Sequence, residues 1–104
     1  MSLNTVKIIV ADDHHLVRSG IIKILNEHES FEVISEAENG KEAIEKCEIL
    51  IPDVLLLDLD MPVLNGLETV PLVKKQMPDI KVGILTMHKE KFLVEKLIKL
   101  GVEG

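Results

Sequence analysis

The sequence predicts an α/β fold in which parallel strands alternate with helices. Short runs rich in β-branched and aliphatic residues alternate with longer segments whose apolar residues recur every three or four positions. The run 54–57 is apolar at every position, which is typical of a strand covered on both faces. Strands connected through single helices favour parallel pairing and right-handed crossovers.

These patterns assign eight elements in the order βαβαβαβα. We expect strands at 6–11, 32–37, 54–57 and 81–87, and helices at 16–26, 40–50, 67–76 and 91–100. The residues expected to face the core are Val17, Ile21, Ile24 and Leu25 in the first helix and Ala43, Ile44 and Cys47 in the second. Pro71 lies inside the third helical pattern and lacks the N–H of a helical hydrogen bond. We therefore expect that helix to kink there or to start later.

Composition excludes several classes of protein. The length of 104 residues predicts a single domain, residues 1–104, and 46% hydrophobic residues exclude a disordered chain. No apolar run reaches the roughly 20 residues that span a bilayer, so no membrane association is expected. Twelve Lys and Arg against 18 Asp and Glu leave no broad cationic face for DNA. The sequence has one cysteine, Cys47, and we see no apolar leader at its start. Both features favour a cytoplasmic location.

Polar residues follow three of the predicted strands. Asp12 and Asp13 follow the first strand, Asp58 ends the third and Thr86 lies at the end of the fourth. The carboxyl ends of parallel strands share one edge, and a strand order of 2-1-3-4 would make these three strands adjacent. Three carboxylates this close require either protons or a cation, and hard oxygen ligands favour Mg²⁺. A carboxylate beside Mg²⁺ can accept a phosphoryl group, so the residues indicate phosphoryl transfer onto Asp58.

Most of these residues have an alternative structural role. Asp12 and Asp13 could cap the first helix, Thr86 could be an ordinary strand residue, and Asp60 could start a turn. Asp58 is harder to explain structurally, because buried carboxylates are rare unless they are paired.

His14 and His15, beside the two aspartates, raise the alternative of a transition-metal site. Adjacent residues seldom both point at one ion, and the sequence has no second histidine cluster. We therefore assign both histidines capping or surface roles.

Three segments together resemble the receiver domain of bacterial two-component response regulators. They are VADDH at 10–14, LLLDLDMP at 55–62 followed by Gly66, and ILT at 84–86. The resemblance covers essentially the whole chain. It implies a flavodoxin-like, doubly wound parallel sheet with strand order 2-1-3-4, and a domain that stores a signal rather than an enzyme that turns over substrate.

The resemblance also implies a role for each site residue. Asp58 would accept a phosphoryl group from the phosphohistidine of a sensor histidine kinase. Mg²⁺ would be bound directly by Asp13 and Asp58, by the backbone carbonyl of Asp60, and by Asp12 through a water. Thr86 would supply the switch hydroxyl that turns toward the phosphate.

The stretch 12–20 resembles the subgroup that carries a C-terminal LuxR/NarL-type helix-turn-helix domain. Transcription regulation, and any contact with DNA, would then depend on an output domain outside these 104 residues. Family members have a fifth strand, ending in a Lys, and a fifth helix, and we expect both to be missing here. The fourth strand would then be an unpaired edge, so we expect homodimerisation, swapping or aggregation of this form.

Two other classes remain open. The segment 57–60 (LDLD) also resembles the signature of haloacid-dehalogenase-like aspartyl-phosphate phosphatases, although Pro62 stands where those enzymes have Thr or Val. Their further acidic pair also follows the signature, whereas Asp12 and Asp13 precede it. A flavin or nucleotide binder on the same fold would need a Gly- or Ser/Thr-rich phosphate loop after the first strand, and the two aspartates there would repel phosphate.

Overall fold

Four parallel strands form one sheet, with helices packed on both of its faces. The computed structural model describes residues 5–58, 61 and 63–85. The elements are β1 Val6–Ala11, α1 His15–Asn26, β2 Phe31–Ala37, α2 Gly40–Leu50, β3 Val54–Asp58, α3 Gly66–Gln76 and β4 Lys81–Leu85. The sheet order is β2-β1-β3-β4, which confirms the predicted order 2-1-3-4. The predicted helix 91–100 and the last two residues of the predicted fourth strand lie outside the described residues.

Local capping explains where α2 and α3 begin. The side chain of Asn39 accepts a hydrogen bond from the Glu42 N–H at the start of α2. Asn65 and Glu68 form a reciprocal capping box at the start of α3. That box starts α3 at Gly66, one residue before the predicted start, so the expectation of a later start was wrong. The helix instead continues through Pro71.

The core consists of two apolar layers separated by the sheet, because alternate strand residues point to opposite faces. Every residue of 54–57 is buried, as the unbroken apolar run predicts. One layer lies against α1 and contains Val6, Ile8, Val10, Ile21, Leu25, Phe31, Val54, Leu56 and Leu85. The other lies against α2 and α3 and contains Ile9, Ala11, Ala37, Ala43, Cys47, Leu55, Leu57, Met61, Val73 and Ile80. Burial raises the pKa of the Cys47 thiol to about 11, which suits a packing role.

The inward face of α1 differs from the predicted one. Ile21 and Leu25 are buried as expected, but Val17 and Ile24 are exposed. Arg18 takes the inward position instead, with only 5% of its surface accessible. The apolar periodicity failed here because a buried arginine with satisfied hydrogen bonds replaces part of the apolar stripe.

No helix within the described part of the chain is long and apolar enough to cross a bilayer.

Strand register places the carboxyl ends of β1, β3 and β4 at one level. Ala11 lies opposite Leu57, and Asp58 lies opposite Leu85. The residue after Ala11 therefore reaches the same level as Asp58. The N–H of Asp12 also donates to the carbonyl of Ala37, 3.0 Å away, which extends the β1–β2 pairing to the start of the loop.

The loop between β3 and α3 is held against the start of α2 through Gly40. The Gly40 N–H donates to the Leu64 carbonyl at 3.0 Å, and the fully buried Thr69 lies beside it. A Cβ at this position would overlap both the Leu64 carbonyl oxygen and the Thr69 hydroxyl. Backbone oxygen cannot move aside cheaply, so glycine is required by this close approach.

We predict that Gly40→Ala lowers the free energy of unfolding by about 1–3 kcal/mol, the usual cost of forcing an extra methyl group into a packed site. The measurement is chemical denaturation of the purified variant. Gly20→Ala is the matched control, since a Cβ there meets nothing within 4 Å. Gly20 lies within α1, so that change should stabilise the protein by roughly 0.5–1 kcal/mol. Equal changes in the free energy of unfolding for Gly40→Ala and Gly20→Ala would contradict this explanation by packing.

Candidate metal centre

Three of the predicted site residues meet at the carboxyl edge of the sheet. Asp12 and Asp13 follow β1, and Asp58 ends β3. One carboxylate oxygen from each, together with a ring nitrogen of His14, forms a group whose atoms all lie within 4.8 Å of one another. The convergence predicted from the strand order is therefore present. We call these four residues the acidic cluster.

The three carboxylates differ in their access to solvent. The side chain of Asp12 is 5% exposed, that of Asp58 14% and that of Asp13 31%. Water can therefore stabilise the charge on Asp13 best and the charge on Asp12 least. Ionised carboxylates at this spacing repel one another, and burial strengthens that repulsion. The site therefore favours a compensating positive charge.

His14 is a basic residue that lies close to all three carboxylates. Its Nδ1 lies 3.2 Å from Asp12 Oδ1, 3.0 Å from Asp13 Oδ1 and 3.9 Å from Asp58 Oδ2. The hydrogen bond to Asp12 and the negative charge of Asp13 raise the pKa of His14 above its usual value. The sequence predicted a capping or surface role, and His14 is indeed the N-cap of α1 and 58% exposed. Its contact with the carboxylates was not predicted.

The alternative that the aspartates cap α1 receives little support. The N-cap residue is His14, and its side chain makes no capping hydrogen bond. Asp12 Oδ1 accepts from the His14 N–H at 2.8 Å, which closes a tight turn before the helix begins. Asp60 and Thr86, the other two predicted site residues, lie outside the described residues.

Arg18 fixes the turn that carries Asp12. Its Nη1 donates to the backbone carbonyl of Asp12 at 2.6 Å, and its Nε donates to Glu36 Oε1 at 2.5 Å. Its Nη2 lies 3.3 Å from Nδ1 of His15, so the second histidine contacts Arg18 and is not part of the acidic cluster. The guanidinium thereby links the β1–α1 turn to β2. The sequence analysis missed this role. The one signal that could have revealed it was a positively charged residue, Arg18, on the side of α1 that carries the buried apolar residues.

The donor set fits Mg²⁺. Magnesium prefers hard oxygen ligands and usually takes one or two protein carboxylates while keeping several waters. Asp13 and Asp58 supply such oxygens, and the exposure of Asp13 leaves room for water on its side. Asp12 is more deeply buried and its Oδ1 already accepts two hydrogen bonds from His14, which suits indirect contact with a cation.

A doubly wound parallel sheet with a carboxylate cluster at its carboxyl edge defines a flavodoxin-like domain whose site suits a cation and phosphate. Residues 8–104 match the model of the response regulator receiver domain. The chain belongs to this family. It is a signalling domain, and its relatives include transcription regulators.

Individual relatives agree with this assignment. The chain is 40% identical over 99 residues to the transcriptional regulatory protein LnrK of Bacillus subtilis, covering 95% of this chain and 45% of that protein. It therefore spans about half the length of the curated relatives it matches. The signal receiver domain of the putative response regulator NarL from Mycobacterium tuberculosis superposes with a TM-score of 0.77 at 31% identity, over 93% of this chain and 78% of that one. The isolated receiver domain of RcsB from Salmonella enterica serovar Typhimurium was solved with the phosphomimetic BeF₃⁻. It superposes with a TM-score of 0.76 at 31% identity, over 97% of this chain and 75% of that one.

We predict that Arg18→Met lowers the free energy of unfolding by about 1–3 kcal/mol, because the carbonyl of Asp12 loses its buried donor. Methionine retains most of the apolar part of the arginine side chain. The loss in the free energy of unfolding therefore measures the contribution of the guanidinium group. Lys46→Met is the matched control. Lys46 pairs with Glu42 at 3.3 Å on a solvated helix face and donates to the Glu36 carbonyl. That change should cost about 0.5 kcal/mol or less. Equal losses in thermal or chemical denaturation would count against a special role for Arg18.

Proposed function

We propose that this domain stores a signal as a phosphoryl group on Asp58, transferred in a Mg²⁺-dependent reaction from the phosphohistidine of a sensor histidine kinase. The observation that carries the proposal is the acidic cluster, which lies at the carboxyl edge of a receiver-type sheet. A phosphoryl acceptor needs an accessible nucleophilic oxygen next to groups that tolerate more negative charge. Asp58 meets the first condition because it is the last residue of a buried strand and remains partly exposed.

In the proposed step a carboxylate oxygen of Asp58 attacks phosphorus. The new O–P bond forms as the N–P bond to the donor's histidine breaks, and the imidazole leaves with that electron pair. Bound Mg²⁺ would offset the negative charge of the carboxylates and the incoming phosphoryl group. The protein contributes by fixing the acceptor at the end of β3, where the β-ladder with β1 and β4 limits its movement.

The other site residues receive the roles that the family suggests. Asp13 binds the cation directly together with Asp58, and Asp12 acts through a water, as its burial and hydrogen bonds favour. The backbone carbonyl of Asp60 completes the protein ligands. The hydroxyl of Thr86 donates a hydrogen bond to the transferred phosphoryl group and reports its presence to the rest of the domain.

The same relatives support a proposal about the biological setting. We propose that residues 1–104 act as the receiver part of a cytoplasmic response regulator whose output is transcription, with DNA contacted through a separate output domain. The relative LnrK is a transcriptional regulatory protein, which supports this output. Homodimerisation of the 104-residue form stays a prediction.

A phosphatase of the haloacid-dehalogenase type is not favoured. Its signature would place a Thr or Val where Pro62 stands, and its further acidic residues would follow Asp58 in sequence. Here the partner carboxylates come from β1, and the family model matched by residues 8–104 is that of receiver domains.

The test is phosphorylation by acetyl phosphate with Mg²⁺, followed by intact-mass analysis of the protein at its full natural length. We expect the wild type to gain the mass of one phosphoryl group and Asp58→Asn to gain none, because the amide cannot form the acyl phosphate. Chelating Mg²⁺ with EDTA should abolish the wild-type gain, since the carboxylates would then repel the donor.

Asp53→Asn is the matched control for this experiment. Asp53 precedes β3 at the opposite edge of the sheet, where its Oδ2 accepts from the Lys7 N–H at 2.8 Å. Asparagine preserves that acceptor, so Asp53→Asn should be labelled like the wild type. Equal labelling of the wild type and Asp58→Asn would refute the assignment of Asp58.

A further inference from the structure

We propose that Arg18 is a positioning residue for the phosphoryl transfer to Asp58, and that it acts through the backbone of the turn that carries Asp12 and Asp13. The inference rests on the proposed function and adds a residue outside the acidic cluster to those that the reaction needs. Arg18 lies near the start of α1, and only 5% of its surface is accessible.

The guanidinium of Arg18 holds the peptide group between the two aspartates. Long side chains in a helix point back toward its N-terminus, so Arg18 reaches the turn that precedes α1. Its Nη1 donates to the Asp12 carbonyl at 2.6 Å. On the other side of the same residue, the Asp12 N–H donates to the Ala37 carbonyl at 3.0 Å. Because a peptide bond is planar, fixing the Asp12 carbonyl also fixes the direction in which the chain enters Asp13.

The guanidinium is in turn held by β2. Its Nε donates to Glu36 Oε1 at 2.5 Å, and Glu36 directly precedes Ala37. Two consecutive residues of β2 therefore hold Asp12, one through a direct hydrogen bond and the other through Arg18. A guanidinium carries several donors in one rigid plane, so it can keep a carbonyl and a carboxylate in a fixed relation. The turn is thus held in place relative to the sheet.

Net stability is a weaker explanation for this arginine. Arg18, Ile21 and Leu25 recur at helical spacing and are all buried, so an apolar residue at position 18 would complete the stripe. Replacing a whole buried ion pair by apolar residues is often neutral or stabilising, because the charges no longer have to be desolvated. An apolar side chain cannot, however, fix the direction of the Asp12 carbonyl. Misplacing a functional group by about 1 Å can slow a reaction by on the order of a hundredfold.

The test measures the initial rate of phosphorylation by acetyl phosphate, per folded molecule of the protein at its full natural length, over a series of Mg²⁺ concentrations. In Arg18→Met we expect the maximal rate to fall about tenfold or more, because the turn is no longer held in the reactive geometry. The Mg²⁺ concentration that gives half of the maximal rate should rise as well, because Asp13 is no longer held beside Asp58. A purely structural role would change neither quantity in the folded protein.

Ile21→Val is the matched control for stability. Ile21 is 2% exposed on the same face of α1, so the loss of one methyl group destabilises the fold without removing a polar contact. This variant should keep the wild-type rate and Mg²⁺ dependence.

Glu36 provides a second pair of variants, which tests the proposal even if Arg18→Met does not fold. Its side chain is 49% exposed, so both changes are compatible with folding. Glu36→Ala removes the acceptor of Arg18 Nε and should slow labelling. Glu36→Gln retains an acceptor oxygen and should be labelled nearly as fast as the wild type.

The outcomes separate this inference from the proposed function. If Arg18→Met is slowed no more than Ile21→Val, the role of Arg18 is overturned and the proposed function stands. Wild-type labelling of Glu36→Ala, where Arg18→Met does not fold, has the same consequence. A wild type that is not labelled at all would overturn both.

Discussion

The structure depends on keeping negative charge crowded at one edge of a sheet. Asp12, Asp13 and Asp58 are brought together by strand register, and their ligand atoms lie within 4.8 Å of one another. Such crowding opposes folding in the absence of a compensating charge, because ionised groups near an apolar interior are poorly screened. The strands and helices hold the three carboxylates in this arrangement. His14, which lies beside all three, can supply a positive charge that reduces their repulsion.

The strand directly behind the site is buried and paired on both sides. The strand that ends in Asp58 is fully buried along 54–57 and lies between β1 and β4. On one side Arg18 ties the turn after β1 to Glu36 on β2. On the other, the contact of Gly40 with Leu64 ties the loop after β3 to α2. The carboxylates thus sit on a rigid base, while the exposed sides of Asp13 and His14 leave the site open to ions.

The sequence was sufficient for the topology and for the convergence of the aspartates, since both follow from hydrophobic periodicity and from the shared edge of parallel strands. It was insufficient where a polar side chain takes an apolar position. Arg18 displaced Val17 from the inward face of α1, and periodicity contains no information about the carbonyl that Arg18 binds. His14 was underestimated for a related reason, because the direction of a side chain after a strand is set by a local turn that spacing alone does not predict.

The most direct test of charge crowding is a Mg²⁺ titration followed by ¹H–¹⁵N NMR. If the carboxylates share a cation, the amide resonances of Asp12, Asp13 and Asp58 should shift together and saturate with a single dissociation constant. The amides of Lys7 and Asp53, at the opposite edge of the sheet, should remain unchanged. Independent shifts of Asp13 and Asp58, or no saturable shift at either residue, would contradict the account.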